Sequence, residues 1–194
     1  MSTPSARARR SPGEVGIWVF VIGDMIVFAV FFAVIVVLAA EQPDLVRESQ
    51  ARLSVTSGAL NTILLLTSSV LVALAVRAAR EPGAAHHLRA RKLFGFALAC
   101  GLGFAVIKAA EYGTKIDAGL VPATNDFFAY FYVFTAIHLL HVTAGIGVLV
   151  WLMRLSGRPA LTAKDRMLIE SGASYWHMVD LLWVVLFPLL YLVN

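Results

Sequence analysis

Five stretches of this 194-residue chain are each long and apolar enough to cross a lipid bilayer. A transmembrane helix needs about 20 mostly apolar residues, and inside hydrocarbon the backbone must satisfy its own hydrogen bonds. Helices are therefore expected at about 15–40, 55–76, 93–114, 127–153 and 171–193. The first stretch, Val15–Ala40, carries one charge, Asp24, and Val55–Val76 carries none. Leu93–Thr114 holds Lys108 and Glu111. Phe127–Met153 has no Asp, Glu, Lys or Arg but holds His138 and His141. Ser171–Asn194 holds His177 and Asp180. Only 14% of the chain is charged, against about 25% for a soluble domain. The fold class that follows is all-α: an integral membrane bundle of five transmembrane helices, residues 15–194, behind a disordered tail at residues 1–14.

The basic residues orient the bundle. Twelve of the sixteen Lys and Arg residues lie in the N-terminal tail and in the loops after segments two and four. Only Arg47, Arg52 and Lys115 lie at the other end, and Lys108 is inside a segment. By the positive-inside rule the N-terminus is cytoplasmic and the C-terminus outside, in a bacterial-type plasma membrane. The net charge of +4 then reflects topology and contact with anionic lipid heads. Because the charge is split among short loops, it gives no support for nucleic-acid binding. The tail has the Arg-rich look of a signal sequence, but the apolar run behind it is too long for one and reads as a retained span. Cys100 stands alone and forms no disulfide framework.

A charged side chain at the bilayer centre costs about 2.5–3.5 kcal/mol on insertion scales, so the buried ionisable residues need partners or purposes. His138 and His141 lie three apart and share a helix face, as do His177 and Asp180; Glu170 is seven before His177 on the same stripe. At about 1.5 Å per residue, Asp24 and Asp180 each lie roughly 13 Å from the cytoplasmic edge and His141 roughly 18 Å, so the three fit one layer. His138, His141 and His177 would suit zinc or copper if they converged. Alternatively, each is a hydrogen-bonded bundle histidine in a polar seam with Glu170 and Asp180, and that is the assignment made, with no metal site. Asp24 is either a proton-exchanging carboxylate or an acid that fixes packing. Lys108 and Glu111, at i, i+3 in the outer half, read as a structural ion pair. Asn61 is expected to bond across helices, His86 and His87 to be a solvated pair, and Trp176 and Trp183, seven apart, to share a packing face. No His-Glu-x-x-His, G-x-S-x-G, Walker or haem-attachment sequence is present, so the chain shows no redox machinery of its own.

Four motifs in order resemble one family. Tyr175-Trp176-His177-Met178-Val179-Asp180-Leu181-Leu182-Trp183, preceded by Glu170-Ser171-Gly172-Ala173, is similar to the last helix of subunit III of haem-copper cytochrome c oxidases. His138-Leu139-Leu140-His141 followed by Gly145 resembles its His-x-x-His-x-x-x-Gly helix. Ala110-Glu111-Tyr112 and Leu60-Asn61-Thr62 resemble two further elements, and together the motifs cover about Glu14 to Tyr191. The long form of the family has seven helices. This chain lacks the first two, and with them one wall of that form's lipid-filled cleft. Gly23-Asp24-Met25 puts aspartate where glutamate is common, and the run from Gly13 is more similar to a short branch associated with nitric-oxide reductases. Lys108 stands where a neutral polar residue is frequent.

The resemblance implies an accessory subunit with no cofactor on its own chain, haem and copper on partner subunits, and bound phospholipid. Such a subunit flanks catalytic subunit I and supports proton supply and oxygen access. Asp24 would be the carboxylate facing subunit I, His141 with Glu170 an inter-helix pair, and His177 with Asp180 the fixers of the last helix. The alternatives are a subunit or assembly factor of a nitric-oxide reductase, or a small proton-coupled carrier.

Overall fold

A computed structural model describes residues 15–192; the tail expected to be disordered, residues 1–14, lies outside the described residues. Six helices follow in order: α1 (Val15–Glu41), α2 (Pro43–Ala51), α3 (Val55–Arg80), α4 (Ala84–Asp117), α5 (Asp126–Ser156) and α6 (Ala163–Tyr191). The described residues contain no strand. Five of the helices are long and apolar enough to cross a membrane. The sixth, α2, is a nine-residue helix in the connection between α1 and α3. Proline at its N-terminus and Asp44 in its first turn favour it, since proline is preorganised for that position and an acid complements the helix dipole.

Several boundaries are set by side-chain caps. Asn125 accepts from the Phe128 amide at the start of α5. Thr162 accepts from the Asp165 amide while the Asp165 carboxylate accepts from the Thr162 amide, a reciprocal box that opens α6. Both α6 and α4, the latter from Gly83 without a side-chain cap, start in polar sequence and so run on past the apolar stretches. One consequence is that His87 is buried on α4 and its Nδ1 donates to the Arg158 carbonyl at 3.2 Å. The expected solvated pair is thus split: His86 is exposed, whereas His87 anchors the loop after α5.

Helices α3, α4, α5 and α6 close into a ring, each packed on the next and α6 returning to α3, while α1 packs outside on α6 and α5. Helix α6 is the most buried of the five long helices and α1 the least. Two tryptophans on α6 explain this. The Trp176 indole donates to Ser68 Oγ at 3.0 Å, and Ser68 passes its own proton to the Ala97 carbonyl of α4 at 3.0 Å. One turn pair further on, Trp183 donates to Thr62 Oγ1 at 3.0 Å, and Thr62 donates to the Gly58 carbonyl at 2.9 Å. Both indoles are fully buried, and each finds the donor's partner that a buried Trp needs.

The Trp176 ring fits because glycines face it from two helices. A Cβ on Gly145 of α5 would lie 2.6 Å from two atoms of the ring, and one on Gly101 of α4 would lie 2.9 Å from a third. An aromatic ring locked between backbones cannot move aside. Gly145→Ala should therefore destabilise the solubilised protein by about 1–3 kcal/mol, the usual cost of overpacking. Gly147→Ala, whose added Cβ meets nothing within 4 Å, should change stability by no more than about 0.5 kcal/mol. Thermal unfolding of the two variants in one detergent distinguishes them.

Candidate functional site

The charged residue of α1 meets a histidine of α5. His141 Nε2 lies 3.1 Å from Asp24 Oδ1, and His141 Nδ1 lies 2.8 Å from the Ile137 carbonyl one turn earlier. A carbonyl only accepts, so Nδ1 carries a proton. The bond between Nε2 and Asp24 then needs one further proton, held by either partner, and the pair is neutral overall in both forms. Phe28, one turn beyond Asp24, sets its ring edge-on to the imidazole at 5.5 Å, and Tyr175 of α6 donates to the His141 carbonyl at 3.1 Å. The two side chains keep 14% and 19% exposure at the rim of the bundle, and Asp24 Oδ2 has no hydrogen-bond partner.

A second group is sealed inside the bundle. Lys108 is fully buried; its ammonium donates to Glu111 Oε2 at 2.9 Å and to the Tyr191 hydroxyl at 2.8 Å. Tyr191 sits 2.9 and 3.0 Å from the two oxygens of Glu111, to which it donates. The faces of Phe131 and Trp183 lie 4.9 and 5.0 Å from the ammonium, with Tyr191 and Tyr112 at 5.3 and 5.7 Å. A ring at this range attracts a desolvated cation by about 2 kcal/mol or more, and the carboxylate, in direct contact at 2.9 Å, is the partner of opposite charge. Lys115 shares that carboxylate from 3.8 Å and donates to the Arg52 carbonyl at 3.3 Å. Two lysines on one glutamate bind the C-terminal ends of α4 and α6 to the loop before α3.

The remaining residues do not form one seam. Glu170 faces Arg80 of α3, with Nε and Nη2 both 2.9 Å from Oε1, whereas His141 bonds Asp24 and the Ile137 carbonyl. The pair of His141 with Glu170 implied by the family motif is corrected: His141 points to α1, whereas the Glu170 stripe points to α3. His177 Nδ1 lies 2.8 Å from Ser69 Oγ and 3.6 Å from Asp180 Oδ2. Asp180 therefore lies beside His177 on the α3 side of α6, without contact to Asp24 or His141. His138 makes no hydrogen bond and is held by rings, stacked on Trp183 at 5.3 Å and edge-on to Phe104 at 5.6 Å. Asn61 is likewise fully buried, and neither side-chain atom has a hydrogen-bond partner; Thr62 beside it makes the cross-helix bond expected of Asn61. Among the described residues no three His, Cys, Asp or Glu side chains are placed to hold a metal.

Several participants were not singled out from the sequence. Lys115 sits at i, i+4 from Glu111, a spacing that signals the contact. Tyr191 reads as an interfacial aromatic, and Ser68, Ser69 and Thr62 are small polar residues in an apolar run. Only the packing reveals their partners.

The family described as cytochrome c oxidase subunit III matches residues 8–194. Cytochrome c oxidase subunit 3 of Synechocystis sp. is 31% identical over 91% of this chain and 74% of its own length. Cytochrome bo(3) ubiquinol oxidase subunit 3 of Buchnera aphidicola is 28% identical over 91% and 84%, and quinol oxidase subunit 3 of Bacillus subtilis is 28% identical over 92% and 86%.

The sealed cluster makes an ordered prediction. Removing one partner of a buried ion pair costs about 3–5 kcal/mol because the other charge is stranded. Glu111→Leu strands two lysines and should destabilise more than Lys108→Met, which leaves Glu111 with Tyr191 and Lys115. The double variant should recover part of the Glu111→Leu loss. Denaturation of the three variants reads the order, and equal losses for the two single changes would contradict it.

Proposed function

The chain belongs to the cytochrome c oxidase subunit III family, and on that premise we propose that it serves as the accessory subunit III of a haem-copper oxidase complex. The observation that carries this reading is the family match over nearly the whole chain. In this reading the chain binds no redox cofactor; haem and copper belong to the partner catalytic subunit, and phospholipid accompanies the complex. The relatives named above are subunits of a cytochrome c oxidase, a ubiquinol oxidase and a quinol oxidase, so related chains accompany oxidases with different electron donors. Their names support an oxidase, and neither a nitric-oxide reductase nor a proton-coupled carrier. The skew of Lys and Arg toward one side supports a cytoplasmic N-terminus in the plasma membrane.

The face we assign to the catalytic subunit is that of α1. It packs on the bundle chiefly through α6, with smaller contacts to α5 and α2, and Val19, Ile26 and Val30 project outward from it. Asp24 and His141 sit at its seam, partly exposed. A pair that is neutral with one proton can sit at low dielectric without the cost of an isolated charge. It can also pass that proton between its two members, alternating between a neutral acid–imidazole pair and an ion pair while its net charge stays zero. We assign it to proton supply beside the catalytic subunit, with the chain's other polar groups holding the bundle.

Purification from the native membrane in mild detergent should bring a haem-copper catalytic subunit with the chain, and the separated chain should be colourless. Stoichiometric haem or copper on the isolated chain would contradict the assignment. For the pair, Asp24→Asn retains a donor toward His141 Nε2 but loses the exchangeable acid. Both it and Asp24→Ala should assemble, with slower proton uptake or several-fold faster loss of activity during turnover. Failure of both variants to assemble would instead make Asp24 a packing residue.

A further inference from the structure

The ring of α3, α4, α5 and α6 has a second level built like the first. At the first, Ser68, Gly101, Gly145 and Trp176 meet, one from each helix. Seven residues along each helix, roughly 10 Å away, stand Asn61, Lys108, His138 and Trp183, all four fully buried. The step runs backward on α3 and α5 and forward on α4 and α6, as helices of alternating direction require, so these four also share a level. Trp183 ties them together. It bonds Thr62, the neighbour of Asn61, stacks on His138 at 5.3 Å and lies 5.0 Å from the Lys108 ammonium. We propose that this level binds a buried water molecule, which bridges Asn61 to His138. The bridge ties α3 to α5 across the diagonal of the ring, where each packs chiefly on α4 and α6.

Two side chains carry the argument. Neither Oδ1 nor Nδ2 of Asn61, and neither ring nitrogen of His138, has a hydrogen-bond partner among the described residues. Buried polar atoms rarely go unpaired, and inside a membrane span no bulk water reaches them. The charged group of the level does not serve them, because the Lys108 ammonium is committed to Glu111 and Tyr191. Trp183 covers one face of the His138 imidazole. Imidazole hydrogen bonds lie in the ring plane, so the stack leaves both nitrogens able to bond. The unpaired atoms select water over an ion. Asn61 offers an acceptor oxygen and two N–H donors, and a neutral imidazole offers one donor and one acceptor. Water both donates and accepts, so one molecule can bond either kind of atom on either residue. A halide only accepts and would leave Oδ1 and one ring nitrogen unpaired, and a metal cation would meet the Lys108 charge. A buried water needs only about 10–15 Å³ of probe space and two to four polar partners. Lys108 sends its ammonium on toward Glu111, so its slender stem is what it contributes to the level.

The bridge goes beyond the oxidase reading and is read on this chain whichever catalytic subunit accompanies it. Crystals of the purified complex, at a resolution that shows ordered water, should hold an isolated density peak between the two residues. The peak should lie at hydrogen-bond distance, about 2.7–3.2 Å, from both an Asn61 side-chain atom and a His138 nitrogen. It should gain no anomalous signal when chloride is exchanged for bromide. No peak, a direct bond between Asn61 and His138, or bromide in the peak would each overturn the proposal. Energetic coupling supplies a second test. Asn61→Leu and His138→Phe each remove one end of the bridge, so once one is made the other has less to lose. The double variant should therefore raise the unfolding constant about fivefold less than the product of the two single effects, within the range for residues that share a partner. Single effects that multiply in full would also overturn the bridge, and the density test on the unaltered chain stands even if a variant fails to fold.

Discussion

The fold depends on one indole. Trp176 comes from α6, bonds Ser68 of α3, and lies against Gly101 of α4 and Gly145 of α5. In lipid the hydrophobic effect does not drive helices together, so association relies on close packing and interhelical hydrogen bonds. Trp176 supplies both at a single level and to all four helices of the ring. Its glycine neighbours allow the backbones near enough for the ring to fill the space between them. Trp183 repeats the bond seven residues on, which fixes rotation as well as distance. With two indoles donating to Ser68 and Thr62, α6 cannot turn about its axis without losing both bonds.

Once that ring is closed, each buried charge is handled by a local device. Lys108 is satisfied within one box of Glu111, Tyr191 and aromatic faces. Glu170 lies in the polar first turns of α6, where Arg80 reaches it from the end of α3. Asp180 draws on His177 and, through it, Ser69. None of these groups needs the others, which is why the residues expected to form one seam separate into independent contacts. His138 marks the limit of the rule: it is accommodated as a flat ring among rings, with Trp183 and Phe104 as neighbours.

Much of this was legible in the sequence, and the division follows from physics. The five spans could be read because hydrocarbon thickness dictates their length, and the Lys108–Glu111 contact because helical spacing alone brings the side chains together. The shared face of Trp176 and Trp183 follows from the same periodicity. Contacts between helices were not legible, because spacing on one helix does not reveal which neighbour it faces. His141 and Glu170 fail as a pair for this reason: each lies on a predictable stripe, but the stripes point to different helices. The short α2 was hidden by its polar composition, and His87 by the assumption that basic residues between apolar runs form a loop. The cap at Gly83, with φ of 116°, instead starts α4 early enough to carry His87 into the interior.

The location of a polar pair separates structural roles from functional ones in this bundle. Glu111 and Lys108 are enclosed by their own chain, so no partner can reach them without unfolding the C-terminal ends of α4 and α6. Asp24 and His141 are at the rim, joined by a single 3.1 Å contact, on the helix that contributes least to the ring. A bundle that needed only stability would gain more from leucine at both positions, since replacing a complete buried pair with well-packed apolar residues is often neutral or stabilising. The α1 helix, moreover, already has Phe28 and Phe31 to anchor it, the latter stacked on Phe134 of α5 at 4.6 Å. The acid and the imidazole are therefore not the only anchors of α1, and in the proposed function their position at its seam puts an exchangeable proton on the face assigned to the adjoining subunit.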